Sequence, residues 1–371
     1  MHESFCSLPW TGLDISPQGN FKPCCKYQYT IANDIETYFN SQELSEIKKD
    51  FLSGKKPGGC YRCWNDESLG IPSKRQLDLK YVHDNIHPSL DSLKIISMPF
   101  GNTCNLACRT CDSESSSFWV QSEKKLKKEF PNIEIKSHKK FYKDKKFIDR
   151  ISELSKDVKL FEFPGGEPFL TGTNEHLNFL KSLVSENSKN LKLHYTTNAT
   201  IFPDERFWSI WKQFKNVDLM LSLDGTKDHF EYNRWPAKWD VCYANIKKYQ
   251  EKQQEFKNVQ ISISHTVSVF TIFYLPEFIK WCLKEKLPFP YFGILVDPGY
   301  YSVRVLPQSV KNFIEKNPIF NTEKLKPVLL ELEKESDDFD MFVKYVKLLD
   351  NQRGQSFAEV FPEYSQRLGI K

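Results

Sequence analysis

The sequence predicts an α/β fold built on a mostly parallel sheet, from three observations. Six short apolar runs alternate with longer amphipathic stretches between residues 90 and 296. That alternation is the pattern of strands joined by right-handed helical crossovers. The units follow one another without a central reversal, which suits an open TIM-type barrel at least as well as a doubly wound sheet. The flanks, 1–75 and 301–371, read differently from this middle.

The strand candidates are 93–98 (LKIISM), 158–163 (VKLFEF), 191–197 (LKLHYTT), 217–223 (VDLMLSL), 259–267 (VQISISHTV) and 290–296 (PYFGILV). Helices are expected over 113–130, 172–187, 204–215, 238–254 and 274–286. The first 75 residues hold a hairpin (LDIS, a turn at PQGN, then FKP), a helix with acidic start and basic end (SQELSEIKKDF) and a Gly-Gly-Cys turn. So little apolar sequence cannot bury a core alone, and a metal staple makes physical sense there. The last 70 residues read as helices packing on the barrel.

Composition excludes several classes. Apolar residues at 40% and charged residues at 27% suit a globular chain rather than a disordered one. No run approaches the ~18 apolar residues of a membrane helix, and the start MHESFCSLPW lacks a basic-then-apolar layout. The expectation is therefore a cytoplasmic protein with no membrane partner. A net charge of +4 gives no argument for nucleic acid. Ten Lys against four acidic residues in 121–147 give that segment +6, which reads as solvated surface.

Ten cysteines in such a chain read as metal ligands rather than a disulfide framework. Cys242 and Cys282 stand alone in expected helices and read as buried thiols. Cys104, Cys108 and Cys111 crowd into GNTCNLACRTCD, directly after the first strand of the alternating region. The carboxyl ends of such strands are where these folds do chemistry. Thiolates suit iron–sulfur clusters or zinc. Three of them leave one iron of a cubane open for substrate or cofactor. A zinc site completed from afar and unligated thiols are the other readings.

This spacing on this loop resembles the hallmark of the radical S-adenosylmethionine superfamily. The resemblance implies a partial (βα)6 barrel and a [4Fe–4S] cluster on Cys104, Cys108 and Cys111 whose open iron chelates S-adenosyl-L-methionine. It also implies reductive cleavage to a 5′-deoxyadenosyl radical that abstracts hydrogen from a substrate, fed by a flavodoxin- or ferredoxin-like reductant. Many members carry an aromatic just before the third cysteine; Thr110 stands there, so the adenine must be held by other groups.

Later strand ends supply supporting motifs. FPGGEPFL places Gly165 and Gly166, where a backbone can approach a ligand closely, beside Glu167, a carboxylate for a cationic group. It resembles the family's Gly-Gly-Glu motif, which binds the methionine ammonium. In LSLDG, Ser222 and Asp224 share a strand face and can bond ribose hydroxyls, which is how the family uses this strand end. Asn198 in TTNAT can reach the same ligand, and Arg234 in HFEYNRW can pair with the methionine carboxylate. His265 reads as a satisfied core histidine.

Cys6, twelve residues, Gly19, four residues and Cys24, followed by the Cys60-x2-Cys63 pair, resemble the auxiliary-cluster modules called SPASM and twitch domains. Cys6, Cys24, Cys60 and Cys63 would hold a second [4Fe–4S] cluster, with Cys25 an alternative ligand and zinc the competing metal. These modules usually follow the barrel; here the module precedes it. The expected organisation is an auxiliary module over 1–75, a barrel over 90–300 and a helical extension over 301–371. Four ligands close the second cluster, favouring electron acceptance and net oxidation of a peptide, sugar or alcohol. The alternative is a non-catalytic iron–sulfur or zinc protein on the same scaffold.

Overall fold

The computed structural model describes residues 2–81, 92–136, 138, 140–170 and 173–370. All six expected strands form, as β3 (Ile95–Ser97), β4 (Leu160–Phe163), β5 (Lys192–Thr197), β6 (Asn216–Ser222), β7 (Val259–Val267) and β8 (Tyr291–Ile294). They pair in parallel in chain order. The amino-terminal hairpin joins the same sheet, which extends the expected six strands to eight. Its first strand, β1 (Gly12–Ile15), pairs in parallel with β3, and β2 (Phe21–Lys22) lies antiparallel outside it. The order β2-β1-β3-β4-β5-β6-β7-β8 leaves the sheet open at β2 and β8 among the described residues. The fold is a partial barrel.

Strict alternation decides which face each side chain takes. Leu193 and Tyr195 of β5, Leu219 and Leu221 of β6, and Ile261 and Ile263 of β7 turn to the helix layer and are buried. His265 falls on that same face: its Nδ1 lies 2.8 Å from the Leu223 carbonyl and its ring packs on Phe278. Burial pulls it down to about 4, so it is a neutral core histidine. The opposite face carries a polar row in register across five strands: Asp14, Ser97, Glu162, His194 and Asp218. His194 Nδ1 lies 2.7 Å from Asp218 Oδ2, and Ser262 donates to Asp218 Oδ1.

The amino-terminal segment reaches this row. Ser73 and Gln76 form a capping box that starts the helix Lys74–Asp78. Lys74 then places its ammonium 2.8 Å from Glu162 and 3.0 Å from Asp78. Arg75 points the other way, donating to the carbonyls of Glu3 and Phe5 and forking onto Glu67. It also lies over the Trp64 ring. One short helix thus ties the segment to the barrel wall and to its own amino terminus.

Most helices are shorter than their sequence patterns, although the one expected over 238–254 forms at full length as Trp239–Glu255. The stretch expected as 113–130 is helical only over Trp119–Leu126. Asp112 accepts from the amides of Glu114 and Ser115, and Ser116 donates to the Leu106 carbonyl, which holds 112–118 in turns. The helix expected from 172 runs over Thr173–Leu183, residue 172 lying outside the described residues. The basic 121–147 segment is not one helical face. A further helix, Lys145–Leu154, begins inside it, capped by Asp144. After β8 the chain is helical, with Gln308–Glu315, Lys326–Leu332, Phe339–Arg353 and Pro362–Leu368 as the main elements. Tyr364 donates to the Val269 carbonyl just after β7.

Candidate functional site

The three-cysteine loop leaves β3 at its carboxyl end and is fastened on two sides. Backbone hydrogen bonds run from Ala107 to Trp235 and from Arg109 to Asn233. On the other side, Glu167 N donates to the Thr103 carbonyl and Gly166 N to that of Ser115. Gly166 has a φ of +55°, and a Cβ there would stand 2.5 Å from the Thr103 oxygen. Only glycine lets the strand β4 turn come this close to the loop.

The thiols are neighbours. Cys108 is buried, Cys104 half-buried and Cys111 exposed. A hydrogen bond from Cys111 draws the Cys108 thiol below its ordinary value against its burial, with Arg234 adding to the effect. The same contact pushes Cys111 up, and burial pushes Cys104 up to about 11. Arg234 Nη1 donates to Cys108 Sγ at 3.8 Å and Asn198 Nδ2 to Cys104 Sγ at 3.8 Å. Among the described residues, no three His, Cys, Asp or Glu side chains already stand as a ligand set for a single metal ion. The cysteines are a close group of soft donors rather than a finished polyhedron.

The motifs expected to surround them do gather at these strand ends. Glu167 is 2% exposed; its Oε1 accepts from Thr197 Oγ1 at 2.8 Å and from Phe169 N at 3.3 Å, and its Oε2 accepts from Asn198 N at 2.8 Å. Burial still pushes this carboxyl up to about 7. Asn198 also bonds Asn105 Oδ1 and accepts from Thr200. Asp224 accepts from Thr266 N and pairs with Arg234 at 2.7 Å. Ser222 is half-buried at the end of β6, opposite Ser264. Arg234 therefore already has a carboxylate partner within the protein and reaches the Cys108 sulfur as well. Gly165, at φ +83°, packs against Pro99.

Sequence reasoning missed the cationic surroundings of the loop. Arg109 is fully buried, pairs with Asp350, donates to Gln355 Oε1 and stacks 3.6 Å over Tyr232. Arg353 is also buried and lies between the rings of Trp119 and Trp235. Several donors here are buried without a hydrogen-bond partner among the described residues: Arg109 Nη1, Arg234 Nε, and all three nitrogens of Arg353. The Arg234 guanidinium on the Cys108 sulfur, with the unpaired Arg353 nitrogens acting on the same thiol, suits an anionic thiolate-bound group, so the residues fit an iron–sulfur cluster. No local signal marked Asp350 and Arg353, which come from a helix some 240 residues further along the chain.

In the amino-terminal segment, Cys6 feels the charges of Cys60 and Cys63, and Cys24 those of Cys6 and Cys63. These four thiols form one neighbourhood, and burial raises all of them; Cys60 stands at about 12. Cys25 feels Lys74, Glu162 and Asp14 of the barrel's inner row, and it is also the strongest charged neighbour of Cys24.

Comparison with known proteins bears on this site. The chain is 25% identical over 213 residues to a cysteine-type anaerobic sulfatase-maturating enzyme of Clostridium novyi (strain NT), covering 56% of this chain and 53% of the relative. It is 22% identical over 232 residues to one of Clostridium perfringens (strain 13 / Type A), covering 60% and 58%. The radical S-adenosylmethionine resemblance holds. The chain spans about half the length of the curated relatives it matches. No family model matches. Among solved structures, native anSMEcpe with bound AdoMet aligns at a TM-score of 0.43 and 20% identity over 71% of this chain and 68% of that one. Streptococcus suis SuiB bound to S-adenosylmethionine aligns at 0.35 and 18% over 92% and 67%. Both scores are low, and the fold stands on the sheet topology itself. No helix among the described residues is long and apolar enough to cross a membrane.

Proposed function

We propose that the chain is a radical S-adenosylmethionine enzyme that oxidises a side chain of a peptide substrate. The observation that carries this reading is the meeting of Cys104, Cys108 and Cys111 with the Gly166–Glu167 turn at the carboxyl ends of β3 and β4, with the Arg234 guanidinium on the Cys108 sulfur. A [4Fe–4S] cluster on the three cysteines supplies one low-potential electron and an open iron. The chain's own residues do the rest. Glu167, held by Thr197, Asn198 and Phe169, presents an oriented carboxylate to the methionine ammonium. Ser222 at the end of β6 would bond the ribose, and Asp224, paired with Arg234 and bound to Thr266 N, would do so through its remaining acceptor capacity. Arg234, drawn between Asp224 and Cys108, balances charge and reaches the methionine carboxylate only by a shift within its pair.

Cys6, Cys24, Cys60 and Cys63 would hold a second cluster in this reading, with Cys25 an alternative ligand beside Cys24. Four thiolate ligands would leave such a cluster closed, and it would then supply an acceptor for the electron released in substrate oxidation. A peptide substrate is supported by the names of the relatives, which mature sulfatases, and by solved neighbours described with bound peptides. Anaerobic reconstitution with iron and sulfide, followed by dithionite and S-adenosylmethionine, tests the proposal. Formation of 5′-deoxyadenosine that disappears when Cys104, Cys108 and Cys111 are all replaced by Ala is the expected result. Persistence of the product in that variant overturns the assignment of the loop.

A further inference from the structure

Arg353 ends the helix Phe339–Arg353 and is 8% exposed, yet Nε, Nη1 and Nη2 all lack a hydrogen-bond partner among the described residues. A buried cation in that condition is costly unless something compensates it. The carboxylate one helical turn back, Asp350, is already engaged by Arg109, by the Tyr232 hydroxyl at 2.8 Å and by Phe357 N at 2.7 Å. Two things hold Arg353 in place. Its guanidinium lies 4.8 Å from the Trp119 ring centre and 5.1 Å from that of Trp235, and it sits at the negative end of its own helix.

Both aromatic jaws are fastened to the cysteine loop. Trp119 Nε1 donates to the Cys108 carbonyl at 2.8 Å, and the Trp235 carbonyl accepts from Ala107 N at 2.7 Å. Burial and the neighbouring Arg109 pull the Arg353 guanidinium down to about 9, and Tyr301 and Cys108 act the other way. Three guanidiniums stand near the loop; Arg109 pairs with Asp350 and Arg234 with Asp224. Arg353 is the one of the three with no hydrogen-bonded partner among the described residues.

We propose that Arg353 is the charge-compensating residue of the three-cysteine loop, placed to offset the negative charge of the thiolate-bound group and so to raise its reduction potential. This inference rests on the reading of the loop as an iron–sulfur site. Arg353 acts through the loop rather than on substrate, and is a positioning and electrostatic residue. Its guanidinium is aligned by stacking, so the field it exerts is fixed before any electron arrives.

The experiment is an EPR-monitored reductive titration of the reconstituted full chain, following the signal that S-adenosylmethionine perturbs, in wild type, Arg353→Gln and Arg353→Lys. The proposal expects Arg353→Gln to be harder to reduce by at least tenfold in the one-electron equilibrium, which is about 59 mV, at unchanged iron content. Arg353→Lys, which keeps the charge, stays within threefold of wild type. An unchanged potential in iron-loaded Arg353→Gln overturns the inference, as does a Lys variant that falls as far as Gln. If Arg353→Gln fails to fold, the Lys variant decides alone: within threefold supports the inference, a tenfold fall overturns it. Wild type that takes up no iron on this loop overturns the underlying functional reading instead.

Discussion

Replacing Glu167 by Gln removes a charge from a carboxyl whose surroundings are well defined. Three protein donors occupy it: two groups on Oε1 and the Asn198 amide on Oε2. Oε2 keeps a lone pair free for an incoming ammonium. Burial lifts the carboxyl from an ordinary 4.5 to about 7. Two consequences follow for S-adenosylmethionine, whose ammonium requires the ionised form. In wild type, affinity must fall with acidity, because the ligand competes with a proton held more tightly than usual; with a group titrating near 7, binding at pH 6 is roughly tenfold weaker than at pH 8. In Glu167→Gln the loss at pH 8 is about 1.5–3 kcal/mol, the range for a hydrogen bond to a charged group. That is roughly ten- to over a hundredfold in dissociation constant, and this residue's share of the pH dependence is gone. Calorimetric titration of the anaerobically reconstituted proteins at several pH values gives both quantities. Equal affinities, or parallel pH profiles in the two proteins, would refute the role assigned to this carboxylate.

Gly166→Ala forces a methyl group against the Thr103 carbonyl in a left-handed backbone conformation; a cost of about 1–3 kcal/mol is expected in chemical unfolding, with weakened S-adenosylmethionine binding, and a silent substitution would contradict the close packing of the two loops. Arg75→Gln removes two donors to the amino-terminal carbonyls and the fork on Glu67. About 2–3 kcal/mol of stability should go, and the amino-terminal cluster should lose iron to a chelator faster than the loop cluster does; equal rates of loss would contradict the tie. Reconstituted protein should carry about eight irons per chain, two cubanes of about four each. About four irons with one zinc would replace the second cluster by a zinc ribbon.

Much of this was legible because its signals are local. Alternation placed the six strands of the barrel within a residue or two, since each strand's helix-facing side chains must be apolar. The cysteine spacing and the Gly-Gly-Glu string declared themselves for the same reason: their chemistry demands particular residues within a few positions. The pairing of Gly12–Ile15 with Ile95–Ser97 was not legible. It joins segments some 80 residues apart, and no short-range pattern records which edge a hairpin chooses. Helix lengths were overstated where polar side chains took the backbone bonds, as Asp112 and Ser116 do before Trp119. Arg353 was invisible because its importance lies in lacking a partner, a property no sequence window displays.

The central claim is that Cys104, Cys108 and Cys111 alone hold the group that receives S-adenosylmethionine. The most direct test uses a variant with Cys6, Cys24, Cys60 and Cys63 replaced by Ala, reconstituted anaerobically and reduced, and records its EPR spectrum before and after addition of S-adenosylmethionine. About four irons per chain and a spectrum that changes on addition are expected. A reduced cluster whose spectrum stays the same, or a variant that binds no iron while its barrel remains folded by circular dichroism, would contradict the account.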